Sequence, residues 1–333
     1  MRRWLRHWLR IRTLRHGLPL VLIALSGTTS GLLGIGAVGG VAAAKEPVST
    51  ANRQGTMGTV PLPQLLLAPL TTPSIAATPT TPSPSRLLEV DFASRTLART
   101  VKYYVYLPVG YDTDTTRRYP VLYYLHGIGG DPREWLGYGV REAADELMGS
   151  GAIQPFLIVL PQGDQGYWVD QVDGGPQWAT YVATDVVAEV DARYRTLADR
   201  QDRAIGGLSM GAHGALQIAM NHADIFSIVG AHSPSFRPRQ DIPAYFGNDE
   251  QLAQRDPLAL VAAHPEIART LTIWLDYGDQ DPYRDRQRQL EQELVAEGIP
   301  HQYHPWQGNH DGSYWAGHLN DYLRYYTAAF PAH

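Results

Sequence analysis

The feature that most constrains the fold is a series of short apolar runs, each separated from the next by a stretch with helical periodicity. Residues 120–126 (PVLYYLH), 156–160 (FLIVL), 203–208 (RAIGGL), 225–229 (IFSIV) and 271–275 (LTIWL) read as buried strands, and 103–107 (YYVYL) as an alternating one. Helical stretches are expected at 178–194, 210–221, 283–297 and 313–330. A further helix should open at 131–134 (DPRE), with Asp131 as N-cap, Pro132 in the first turn and Glu134 completing a capping box. Strands buried on both faces and alternating with helices imply a mostly parallel sheet covered on each side. In such sheets the chemistry sits in loops beyond the carboxyl ends of the strands.

The pattern begins only near Arg86, and what precedes it is of a different kind. Of the 28 basic residues, six arginines fall in residues 1–44, a segment without any acid, which leaves 22 basic against 33 acidic residues in the remainder. Such an acidic remainder argues against a nucleic-acid partner. The arginines precede an uncharged stretch, 17–44, that ends in Ala42-Ala43-Ala44, so 1–44 is expected to be a signal peptide cleaved before Lys45 or an uncleaved membrane anchor. Contact with a membrane is expected only through this segment, and the protein should be secreted or extracytoplasmic. Residues 45–85 are rich in Pro, Thr, Ser and Ala and cannot bury enough apolar surface to order themselves, which marks a disordered linker. Residues 86–333 form the expected catalytic domain. The absence of cysteine rules out a disulfide framework and thiolate metal sites.

One strand end carries Gly207-Leu208-Ser209-Met210-Gly211, a G-x-S-x-G placed between the 203–208 strand and a helix rich in small residues. In that context the serine occupies a strained turn and projects its hydroxyl above the sheet, with the helix N-terminus and the Met210 amide facing developing negative charge. The plain alternative is that Ser209 only caps the helix. A serine hydroxyl needs a base, and the base needs an orienting carboxylate. Both follow in the chain: Asp276, Asp279 and Asp281 surround the end of the 271–275 strand, and His310 lies in the loop before the last helix. The order Ser, acid, His is that of α/β-hydrolases. Spacing leaves the acid open among the three aspartates, because Asp281-Pro282 also looks like a helix cap.

These residues resemble the Putative esterase, or esterase D, family of α/β-hydrolases, which includes feruloyl esterases, S-formylglutathione hydrolases and mycolyltransferases. The resemblance covers most of 103–326 through 106–111 (YLPVGY), 119–127 (YPVLYYLHG), 206–211 (GGLSMG), 278–281 (GDQD) and 308–315 (GNHDGSYW). It implies the α/β-hydrolase fold, a mostly parallel central sheet with helices on both faces, with Ser209 as nucleophile and His310 as base. It also implies Asp281 as the acid, since that residue closes a G-x-x-D turn, and an oxyanion hole formed by the amides of Ile128 and Met210. No cofactor is needed.

The expected activity is that of an exported serine carboxylesterase working through an acyl-serine, with a small-molecule or carbohydrate ester, acylated sugar or aromatic, as substrate. Two alternatives share the fold: an acyltransferase of the mycolyltransferase type, and a non-catalytic polysaccharide-binding module. His213 is expected to pack or hydrogen-bond, and His126 to prop the oxyanion loop. The acid- and glycine-rich loop 163–175 lacks EF-hand spacing and is not expected to hold a metal. Tyr167 and Trp168, with Trp135, Trp178 and Trp315, line either an acyl or sugar pocket or the sheet edge.

Overall fold

A computed structural model describes residues 81–333. The expected export segment and most of the linker, 1–80, lie outside the described residues. The last residues assigned to the linker lie against the domain: the Ser83 carbonyl accepts from Gly110 N and its amide donates to Thr113 Oγ1.

Eight strands form one sheet: β1 (Arg86–Ser94), β2 (Arg99–Leu107), β3 (Val121–Leu125), β4 (Leu157–Pro161), β5 (Arg203–Leu208), β6 (Ile228–His232), β7 (Thr272–Gly278) and β8 (His301–Trp306). Their spatial order is β1-β2-β4-β3-β5-β6-β7-β8. Strand β2 pairs antiparallel with β1 and β4, and every other pairing is parallel. This is the α/β-hydrolase sheet.

Alternation within the strands builds two cores. Val121, Tyr123 and Leu125 of β3 point to one face, where they meet the continuous helical run 178–193, α2 (Met210–Asn221), α3 (Pro257–Ala263) and α4 (Arg284–Ala296). Leu122 and Tyr124 point to the other, against α1 (Val140–Gly149) and α5 (Leu319–Ala329). A slip of one residue would exchange these faces, and burying each such Leu or Val contributes about 1.5–3 kcal/mol, so the register is firmly set.

Several boundaries differ from expectation, each for a local reason. The strand expected at 225–229 begins at Ile228, because the amides of Ile225 and Phe226 turn back to the His222 carbonyl and close α2. The expected helix 313–330 is broken at His318 into Gly312–Gly317 and α5. The helix expected from Asp131 starts only at Glu134, and the Asp131 carboxylate accepts from Arg133 N in a tight turn. Glu134 closes no capping box. Its Oε2 instead accepts from Gly127 N at 2.6 Å, across to the end of β3.

Candidate active site

Ser209 sits between β5 and α2 with φ 53° and ψ −114°, a left-handed conformation that non-glycine residues rarely adopt. The sharp turn exists because its neighbours have no Cβ: a methyl at Gly207 would strike the backbone of Gly211, and one at Gly211 would strike the carbonyls of Leu125 and His126. Ser209 occupies the N-cap position of α2, yet its side chain makes no capping bond. Its Oγ lies 2.8 Å from His310 Nε2 instead, which removes the helix-cap alternative.

His310 reaches the serine from the loop after β8, and its Nδ1 lies 2.9 Å from Asp281 Oδ2. Of the three aspartates left open by spacing, the structure thus brings Asp281 to the histidine. Asp281 is 1% exposed, and its two oxygens divide the tasks that the sequence made ambiguous. Oδ1 accepts from Tyr283 N at 2.7 Å and shapes the turn into α4, while Oδ2 faces the imidazole. Burial pushes this carboxyl up, but the bonds from His310, Ser233 and the Tyr283 amide outweigh it and hold it below the usual carboxylate range. Asp279 is exposed and braces the turn through Gly308 N. Asp276 lies on the opposite face of the sheet, bonded to His232.

Ser233 was not singled out by the sequence. It follows β6 with φ 55°, donates its hydroxyl to Asp281 Oδ2 and lies 3.3 Å from His310 Nδ1. The available signal was the polar run His232-Ser233-Pro234-Ser235 directly after an apolar strand, at the carboxyl edge of the sheet where functional groups gather.

Met210 directly follows the serine, and Ile128 lies in the loop beyond β3. Met210 is the first residue of α2, whose opening amides have no partners within the helix. Ile128 follows Gly127, where an added Cβ would stand 3.5 Å from the Ser209 Cβ. The loop 126–130 is fastened at several points. His126 Nδ1 bonds the Gly127 carbonyl and its Nε2 accepts from Gly163 N, while Gly129 N donates to Gln165. Burial pushes the His126 imidazole below its ordinary range, so it stays neutral and acts as a prop.

The aromatic residues divide. Trp135 and Trp168 are buried and donate their indole N–H groups to the carbonyls of Leu125 and His126, so they clamp the end of β3 rather than line a pocket. Trp178 lies in the core. Trp315 packs edge-on against His310 at 5.1 Å, and Tyr167 reaches the segment after β6. His213 is buried against Tyr167 and Phe246, bonds the Arg255 carbonyl, and is pushed down to about 4 by burial. In the loop 163–175, Asp164, Asp170 and Asp173 each accept from nearby backbone amides.

The Ser209 hydroxyl, the His310 imidazole and the Asp281 carboxyl thus form one hydrogen-bonded series beginning at the strained turn. Comparison with known proteins places the chain in a family. The family model described as Putative esterase matches residues 94–326. An esterase of Mycobacterium tuberculosis is 26% identical over 242 residues, covering 62% of this chain and 51% of that protein. The chain therefore spans about half the length of that relative. An acetyl esterase of Caldicellulosiruptor saccharolyticus is 25% identical over 255 residues, 69% of this chain and 93% of that protein. Among solved structures, a ferulic acid esterase is 28% identical with a TM-score of 0.68, over 74% of this chain and 100% of the other. An S-formylglutathione hydrolase from Agrobacterium tumefaciens, 18% identical with a TM-score of 0.64 over 74% of this chain and 96% of the other, shares the fold.

Proposed function

This chain belongs to the Putative esterase family, whose members here are carboxylester hydrolases on an α/β-hydrolase fold, and from that premise we propose that it is an exported serine carboxylesterase. The observation that carries the serine mechanism is the unbroken relay from Asp281 through His310 to Ser209 at the strained turn. Ser209 Oγ attacks the ester carbonyl as His310 Nε2 takes its proton. The tetrahedral oxyanion is held by the amides of Ile128 and Met210, each such donor being worth about 3 kcal/mol of barrier. His310 passes the proton to the leaving alcohol, and an acyl-serine remains. Water, deprotonated by the same imidazole, then releases the acid and restores the serine. Asp281 stays ionised throughout and stabilises the imidazolium.

Export rests on the arginine-led apolar segment 1–44 and the linker that follows it. Among the described residues no helix is long and apolar enough to cross a membrane. An acylated carbohydrate or aromatic ester as substrate is supported by the relatives described as ferulic acid esterase and acetyl esterase. Replacing Ser209 by Ala should lower turnover of p-nitrophenyl acetate by about 10⁴-fold or more while the protein stays folded. Retention of most of the activity would remove Ser209 from the mechanism.

A further inference from the structure

Arg237 is an arginine whose charge the protein leaves uncompensated beside the candidate active site. Its Nε donates to the hydroxyl of Tyr167, with the guanidinium 5.5 Å from the centre of that ring. Among the described residues its terminal nitrogens bond no acceptor and it forms no ion pair; the phenols of Tyr167, Tyr283 and Tyr245 are near it, and His213 and Asp256 line the same cavity. Arg203 pairs with Asp191, Arg269 with Glu297 and Arg286 with Asp256, whereas Arg288 resembles Arg237 in donating its Nε to a phenol, that of Tyr277. The pair with Arg286 also accounts for Asp256, the acid that lines the same small cavity as Arg237.

The position of this cation is set by the backbone. Tyr167 and Trp168 are consecutive non-glycine residues with left-handed φ of 56° and 58°, a disfavoured arrangement that persists only where the surroundings impose it. Trp168 is held by the His126 carbonyl, and Tyr167 is wedged against His213 and Phe246. The Tyr167 hydroxyl accepts from Ser235 Oγ as well as from Arg237, so its own proton remains for a third partner. Ser235 in turn donates its amide to the carbonyl of Ser209, and Tyr283 packs edge-on against His310 at 5.1 Å. Arg237 thus follows, by two residues, the Ser235 amide that is bonded to the nucleophile's backbone, and lies near the Tyr283 phenol that packs on the base. The residues outside the first 44 carry an excess of acid, so this is no general attraction for anions but one placed donor set.

We infer that Arg237, fixed by Tyr167 and flanked by Tyr283, is a specificity-determining residue that selects esters bearing a carboxylate or a phosphate close to the scissile bond, an inference that rests on Ser209 being the nucleophile. A guanidinium with its terminal fork free matches the two oxygens of such a group, and the phenols add neutral donors without competing charge.

The test measures kcat/KM for matched pairs of esters with the full chain. On the acyl side the pair is mono-p-nitrophenyl glutarate and p-nitrophenyl valerate. On the alcohol side p-acetoxybenzoate and p-acetoxyphenyl phosphate are each set against p-tolyl acetate, which separates a carboxylate from a phosphate source. The expected result is that Arg237→Gln lowers the anionic-to-neutral ratio by about tenfold or more in at least one arm, chiefly through KM, and that Arg237→Lys restores part of it. Added salt should shrink the same ratio in the wild type. Equal losses on anionic and neutral esters in every arm, or no change in any ratio, would overturn the inference while leaving the esterase intact. Failure of the wild type to turn over any ester in the set, anionic or neutral, p-nitrophenyl acetate included, would overturn the esterase reading and this inference with it.

Discussion

Two aspartate–histidine pairs stand at the carboxyl end of this sheet, and they are nearly identical in their first contact. Asp281 Oδ2 meets His310 Nδ1 at 2.9 Å, and Asp276 Oδ2 meets His232 Nδ1 at 2.7 Å. They differ at the second nitrogen. His310 Nε2 faces the Ser209 hydroxyl on a strained crest, whereas His232 Nε2 faces the phenol of Tyr326 deep in the core. The His310 side chain is 17% exposed, and both side chains of the other pair are 0% exposed. Asp276 is saturated by Trp274, His232, Tyr314 and Tyr322 together, and His232 is stacked on the Tyr322 ring. Burial holds the His232 imidazole below its ordinary range despite the adjacent carboxylate. An aspartate–histidine pair therefore becomes a base or a strut according to what the other nitrogen meets and whether substrate can reach it. The strut still serves the site, because Tyr314 belongs to the turn that follows His310.

The sharpest way to separate the pairs is to neutralise each acid in turn. Asp281→Asn should lower kcat by about a thousandfold or more, an effect out of proportion to its loss of stability, since the imidazole loses its orientation. Asp276→Asn should do the reverse. Breaking a buried, fully bonded charge costs about 3 kcal/mol or more of stability, while turnover per folded molecule stays within several-fold. Steady-state kinetics alongside denaturant titration reads both effects. Loss of turnover in Asp276→Asn without loss of stability would assign it a chemical role and undo the contrast. A smaller effect is expected at Ser233, which has no counterpart in the buried pair. Ser233→Ala removes one donor from Asp281, so its carboxyl should rise towards the ordinary range. It should still be ionised wherever the imidazole is neutral, so the expected effect is a loss of about tenfold or less in kcat with the acidic limb of the kcat/KM profile in place.

The same comparison explains what was legible in the sequence. Strands β3, β4, β5 and β7 are covered on both faces, so composition alone marks them, and the serine motif announces itself at the end of β5. Strands β1 and β8 are the sheet's edges, alternate with charged or polar residues, and pass for loops; β8 even holds Pro305, which an edge tolerates. Ser209 and His310 were legible because each lies in a short local pattern, whereas spacing left three aspartates open and only the resemblance to the family's turn pointed to Asp281. The strut was not, because His232, Asp276, Tyr314, Tyr322 and Tyr326 come from β6, β7 and the last two helices and meet only after folding. Ser233 was hidden for the same reason, and Glu134 looked like a cap until the loop at Gly127 claimed it.

The central claim is that only the pair facing Ser209 drives chemistry, and covalent mapping tests it most directly. The full chain is treated with a fluorophosphonate, digested, and analysed by mass spectrometry. The account predicts a single adduct on the peptide containing Ser209, formed at an undiminished extent in Asp276→Asn and strongly slowed in Asp281→Asn. An adduct on another serine, or folded protein that takes up no label, would contradict it.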